Sequence, residues 1–208
     1  MRSNNLICLA AIAFLFCFAS CEKETEEFKT DTIADYLPLT VGKYITYRLD
    51  STVFTNFQRT TEIHKYQVKH VVDAQVPDNL GRPSFRILRY LRDSSGTQPW
   101  VENGTYFITP LADQAEVIED NLRFIKLHLP FKLNTDWKGN KYLANRAYAS
   151  LYSFNNDDNI NDWDYNIEKF DETASIGGQP VKDVFTIFVI DEKMNAPVTD
   201  YTVAGWRT

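Results

Sequence analysis

The residues best spaced to do chemistry lie in "DDNINDWDYNIE", Asp157 to Glu168. Asp157, Asn159 and Asn161 take the first, third and fifth places of a calcium loop, and Glu168 falls at the twelfth. Oxygen donors at alternate positions, closed by a carboxylate, are what a hard divalent cation requires. Two features oppose this. The sixth place, where the sharp turn calls for glycine, is Asp162, and the residues from Trp163 onward alternate as a strand, which turns Glu168 away. The competing reading is an acidic, hydrated loop entering a strand, with an irregular site from Asp157, Asp158 and Asp162 as a third.

The other reactive residue types are spread out. His64 and His70 fall on one strand face but about 20 Å apart along an extended chain, too far to share a metal. Both are expected to be half-buried and structural. His128, opposite Ile125, Leu127 and Leu129, is expected to be solvated. Arg82, Arg86, Arg89 and Arg92 would make an anion-binding stripe on a helix, but on a strand Arg86 and Arg92 face away from Arg89 and read as surface charge. Neighbouring carboxylates such as Glu119 and Asp120 are too common in an acidic chain to nominate for glycosidase work, which depends on a separation in space. No G-x-S-x-G elbow, phosphate-binding glycine loop or H-E-x-x-H is present. The sequence therefore assigns no catalytic residue, no metal beyond the weak calcium candidate and no cofactor, and predicts that the protein is not an enzyme.

One residue has a reason for its position. In "FCFASCEKETEE" an apolar run from Leu6 ends at Phe18, followed by the small Ala19 and Ser20 and then Cys21. The run falls short of the ~20 residues of a membrane span and suits a signal-peptide core after the basic Arg2. Phe18-Ala19-Ser20-Cys21 resembles the bacterial lipoprotein lipobox, with Phe18 where leucine is usual. The resemblance implies cleavage before Cys21 and alkylation of its thiol with diacylglycerol. A plain secretory signal with an incidental cysteine, or an uncleaved anchor, is the alternative. The chain's three cysteines are Cys8, Cys17 and Cys21, so nothing downstream offers a disulfide, a thiol nucleophile or a thiolate site. Two acyl chains hold a protein at a membrane far more durably than one. The expected organisation is a signal peptide over 1–20, a lipidated acidic tether over 21–34 and a β-rich domain over 35–208.

About 190 residues remain after cleavage, one domain by length. A net charge of −6 argues against nucleic acid as a partner. Alternation dominates: Ile45, Tyr47, Leu49 and Val53 share one face, Tyr66, Val68 and Val72 another, and Trp163, Tyr165 and Ile167 a third. "VFTIFVI", Val184 to Ile190, reads as a strand buried on both sides. "FRILRYLR", Phe85 to Arg92, is read as a strand although a helix fits nearly as well, and "YLANRAYASLY", Tyr142 to Tyr152, as a short helix. Turn chemistry at Pro77 to Pro83, Asp93 to Pro99, Asn134 to Asn140 and Gly177 to Pro180 separates the runs. The prediction is a mainly β protein: one antiparallel domain, a curved sheet or barrel-like, with little helix outside the signal peptide.

"DYLPLTVGKYITYRLDS", "DNLRFIKLHLPFKLNTDWKGN" and "DWDY" resemble landmarks of a family of uncharacterised outer-membrane lipoproteins from Bacteroides-type bacteria, which enter the body through a Pro-Leu-x-x-Gly turn. The acidic stretch after Cys21 resembles the export signal that sends such lipoproteins to the cell surface. The resemblance implies an outer-membrane, lipid-anchored, cell-surface location and brings no activity with it. Such proteins usually continue past residue 190 to a closing aromatic strand. Here "DEKMNAPVTDYTVAGWRT" follows, which reads as a C-terminal truncation or as a member that ends sooner.

The first functional expectation is a tethered binding module for a glycan or protein ligand, its membrane contact made through the N-terminal lipid. The second is a periplasm-facing carrier of lipid or another apolar ligand, with a void lined by residues such as Phe124, Tyr165 and Phe185. A carboxylate-based hydrolase comes last.

Overall fold

The computed structural model describes residues 31–55, 60–149, 159–189, 191–196 and 202–207. Cys21, Asp157 and Asp158 lie outside them. The fold is mainly β, as expected. Six strands form one antiparallel meander in the order β1-β2-β3-β4-β5-β6, each paired with its sequence neighbour: β1 Tyr44–Thr55, β2 Thr60–Pro77, β3 Pro83–Asp93, β4 Val101–Pro110, β5 Gln114–Glu119 and β6 Leu122–His128. The sheet curls into a half-barrel. A second sheet joins β7 Asp136–Lys138, β8 Asp164–Ile176 and β9 Gln179–Phe188, and β10 Asp191–Ala196 pairs with β11 Thr202–Arg207 as a separate hairpin.

The hairpins follow from local turn chemistry. Asp78 caps the β2–β3 turn by accepting from the backbone N–H groups of Leu80 and Arg82, at 2.8 and 2.9 Å. Asp93 does the same between β3 and β4, accepting from the Ser95 hydroxyl and from the backbone N–H groups of Gln98 and Thr97, and these bonds, Ser95 first, hold its carboxyl well below the usual carboxylate range. Asp120 and Asn121 close β5–β6 with positive φ at both positions.

Three bulges bend the large sheet, and each inserts a polar residue: Asp73 in β2, Asn103 in β4 and Lys126 in β6. A bulge increases the local twist and re-aims the side chain beside it. Asp73 uses the kink to bind Arg86 at 2.6 Å.

The core sits where the second sheet and a short helix, α1 (Ile33–Tyr36), meet β5 and β6. Ile33, Ala115, Ile125, Phe131, Trp137, Tyr165 and Ile167 form it, with Leu127, Leu129 and Phe185 packed around them. Trp137 closes it and donates from Nε1 to the Ile125 carbonyl at 2.9 Å. Gly139 is required here: a Cβ on it would lie 2.5 Å from the Tyr165 ring. Ile33 is wholly buried and the Tyr36 ring packs edge-on against Phe131 at 4.3 Å, so packing begins at Ile33, while Asp31, Thr32 and Ala34 are exposed.

Three local expectations need correction. Tyr142 to Ala149 form turns, not a helix. The bonds explain it: the Asn145 carbonyl accepts from the Ile160 N–H at 3.1 Å, and its side chain accepts from the Asn159 N–H, so the groups a helix needs are engaged elsewhere. The β9 stretch from Val184 is not buried on both sides. Val184, Phe185 and Ile187 are half-buried while Thr186 and Phe188 are exposed, because only one face of the small sheet meets the core. His128 is not solvated. With Lys126 inserted by the bulge the alternation slips by one, and the ring stacks on Trp137 at 6.3 Å.

Candidate functional site

Cross-strand register assigns one face of the meander row by row. Val72, Ile87 and Tyr106 form one row, and Phe85, Ile108, Val117 and Phe124 the next. Ile45, His70, Arg89 and Gly104 form a third, and Tyr47, Val68, Leu91 and Val101 a fourth. At the β5–β6 end this inner face is covered by the core. At the β1–β4 end no described element covers it, so the alternation read from β1 is present but its apolar side stays open: Ile45 is 52% and Tyr47 46% exposed. The open part is a concavity of about 450 Å³, floored by Tyr47, His70, Val72, Ile87, Tyr106 and Ile108 and walled by the Leu37–Leu39 segment. That volume suits a small-molecule site, and its surface is mostly apolar with a few convergent polar groups.

The polar groups are connected. His70 Nδ1 and the Tyr106 hydroxyl share a hydrogen bond of 2.8 Å. The Tyr47 ring stands edge-on to His70 at 5.3 Å. Burial lowers the His70 pKa, and the Arg89 charge lowers it further while Glu119 opposes. Burial likewise raises Tyr106, to about 12, so its hydroxyl keeps its proton. Beside them Arg89 donates to Glu119 at 2.5 Å and to the Asn103 carbonyl at 3.2 Å. Gly104 makes this possible: its φ is +143°, and a Cβ there would come within 2.9 Å of the guanidinium. The bulge and the glycine together let Arg89 lie flat along the sheet.

A smaller concavity of about 190 Å³ adjoins across one strand, since Ile108 of the larger and Val117 of the smaller are direct cross-strand partners. Phe124, Lys126, Trp163 and Tyr165 line it. The Lys126 ammonium lies 4.6 Å from the Phe124 ring centroid and 5.5 Å from that of Tyr165. It donates to the Tyr165 hydroxyl at 3.4 Å, which donates to Asn140 Oδ1 at 2.8 Å. Desolvation pushes the Lys126 pKa down, against the pull of Glu119.

Of the residues singled out in sequence, Phe124 and Tyr165 do line one void, whereas Phe185 stacks on Phe131 at 4.6 Å in the core. His64 and His70 are both half-buried; His64 bonds Glu62. The four arginines are engaged: Arg82 with Asp78 and Glu116, Arg86 with Asp73, Arg89 with Glu119, and Arg92 with Gln67 and the Trp100 ring. Glu119 and Asp120 do not form a catalytic pair, since Glu119 is bound to Arg89 and Asp120 is a turn residue.

Of the calcium-loop places, Asn159, Asn161 and Glu168 are described and Asp157 is not. Asn159 is left-handed at φ 61°, Asn161 enters a short 3-10 turn, and Glu168 is exposed on β8. Asp162 instead pairs with Lys138 at 3.1 Å. Among the described residues no cluster of three or more His, Cys, Asp or Glu is placed to hold a metal.

Sequence reading missed Tyr106 and Lys126. The second carried a signal: period two sets Lys126 with Leu122 and Phe124, a charge where the pattern calls for an apolar side chain. Compared with protein-family models, with curated proteins and with solved structures, the chain finds no match.

Proposed function

We propose that this protein is a non-catalytic binding module, held at a bacterial outer membrane through lipid on Cys21, that takes an apolar small molecule on the open inner face of its large sheet. The observation that carries this reading is the uncovered apolar concavity between Tyr47 and Ile108, with its few polar groups already bonded to one another. Exposed apolar patches of this kind mark interaction sites. The absence of a free nucleophile–base pair in the described site fits binding better than turnover. The lipobox-like Phe18 to Cys21 and the acidic segment after it support the tether and cell-surface display. Of the expected ligands, an apolar molecule suits this face better than a glycan, because no row of free polar donors lines it.

The test is displacement of a solvatochromic apolar dye from the purified chain. The wild type is expected to bind the dye, and Ile45→Trp, at an exposed position lining the concavity, to lose it while keeping its thermal melt. Equal dye binding by both would remove the site from this face. Protease shaving of intact cells, with a periplasmic protein as control, tests the location: loss of the band supports display, and survival until lysis turns the body inward.

A further inference from the structure

Lys126 is the extra residue of a bulge, and its ammonium lies against the Phe124 and Tyr165 rings; Glu119 and Asp120 also line the small concavity, Glu119 with its charge met by Arg89 and Asp120 exposed to solvent. No ion pair to it forms among the described residues, since Glu119, the acidic neighbour that pulls on it, is already bound to Arg89 at 2.5 Å. An ammonium has three donors. One reaches the Tyr165 hydroxyl at 3.4 Å, and that hydroxyl can only accept, because its own proton goes to Asn140. Asn140 is fixed in turn by donating to the Ile160 carbonyl at 3.0 Å. The chain of bonds holds the amine in one place and leaves donors over. Lys126 is half-buried and partly desolvated, and a desolvated cation without an ion-pair partner is costly unless something supplies one.

The surroundings say what that something is attached to. From Phe124 beside Lys126 an apolar row runs through Val117 and Ile108 to Phe85, crossing from β6 to β3 over about 14 Å. It links the small concavity to the large one. We infer that Lys126 is the head-group site for an apolar chain ending in a carboxylate, the carboxylate seated in the small concavity and the chain lying along the Phe124–Phe85 row. This rests on the apolar-ligand reading above and narrows it to a class. The lowered pKa of the free amine accords with a site that lacks its counter-ion.

The test is equilibrium dialysis of labelled decanoate and of decanol against the full chain in phosphatidylcholine nanodiscs, with empty discs subtracted. The wild type is expected to prefer decanoate by about tenfold, the scale of one charge-assisted hydrogen bond. Lys126→Met, close in volume, should abolish the preference by weakening decanoate more than decanol, whose hydroxyl loses only a neutral acceptor's bond, and Lys126→Arg should keep it. Equal binding of the two ligands by the wild type, or a preference that survives Lys126→Met, overturns the head-group assignment alone. Binding of neither ligand overturns the apolar-ligand reading and this assignment together.

Discussion

At the scale of single residues the inner face is a set of groups that depend on their neighbours' protonation. His70 is held towards the neutral form by burial, with Arg89 adding to the effect, Glu119 opposing it, and the Tyr106 hydroxyl bonded to Nδ1. A histidine whose folded pKa lies below its unfolded value of 6.5 binds fewer protons folded than unfolded. Its contribution is therefore complete above pH 6.5 and is lost as pH falls from there towards the folded pKa. Denaturant midpoints measured from pH 8 to pH 5 are expected to fall more steeply for the wild type than for His70→Phe. Parallel slopes would mean that His70 titrates as it does in the unfolded chain. None of this was legible in sequence, where His70 and Tyr106 are 36 residues apart. Histidine spacing reports on one strand, and the partner came from two strands away.

At the scale of elements, adjacent hairpins were readable and insertions were not. Asp and Gly at Asp78 to Gly81 and Asp93 to Gly96 place their turns, because these side chains and φ values are demanded locally. A bulge has no such local signature: Asp73, Asn103 and Lys126 are ordinary polar residues in strands until the partner strand shows that nothing pairs with them. For this reason His128 was assigned to the wrong side. Helix α1 was missed for a different reason. It is too short to show periodicity and is set by a capping bond from the Thr32 N–H to Asp35, at 2.9 Å, and by the burial of Ile33. Ile33→Ala is expected to cost about 2–5 kcal/mol of unfolding free energy, as a core truncation does. A cost near zero in a denaturant titration would mean that Ile33 contributes nothing to the packed core.

For the whole molecule the alternation predicted the architecture, a curved antiparallel sheet, and the location of its apolar side. It could not say how much of that side is covered. Periodicity marks a face as apolar whether a second layer or a ligand is meant to meet it. Here β7–β9 and α1 cover β5 and β6, while the same pattern in β1 leaves Ile45, Tyr47 and Leu49 exposed beside the buried Val68 and Val72 of β2. The uncovered part became the candidate site because sequence alternation and exposure disagree there.

One feature of the meander bears on time rather than on shape. β2 is paired on both sides from Tyr66 to Val71, but Thr60 to Lys65 have β1 alone for a partner and stand beyond the end of β3. The same strand therefore has two clocks. Amide hydrogens from Val68 to Val72 should exchange with deuterium only through opening of the sheet, while those from Thr61 to Lys65 escape whenever the ribbon frays. Uniform protection along β2 would mean that something else holds the overhang. Unequal protection makes the ribbon a part of the surface that is repeatedly released and re-formed while the face behind it stays intact.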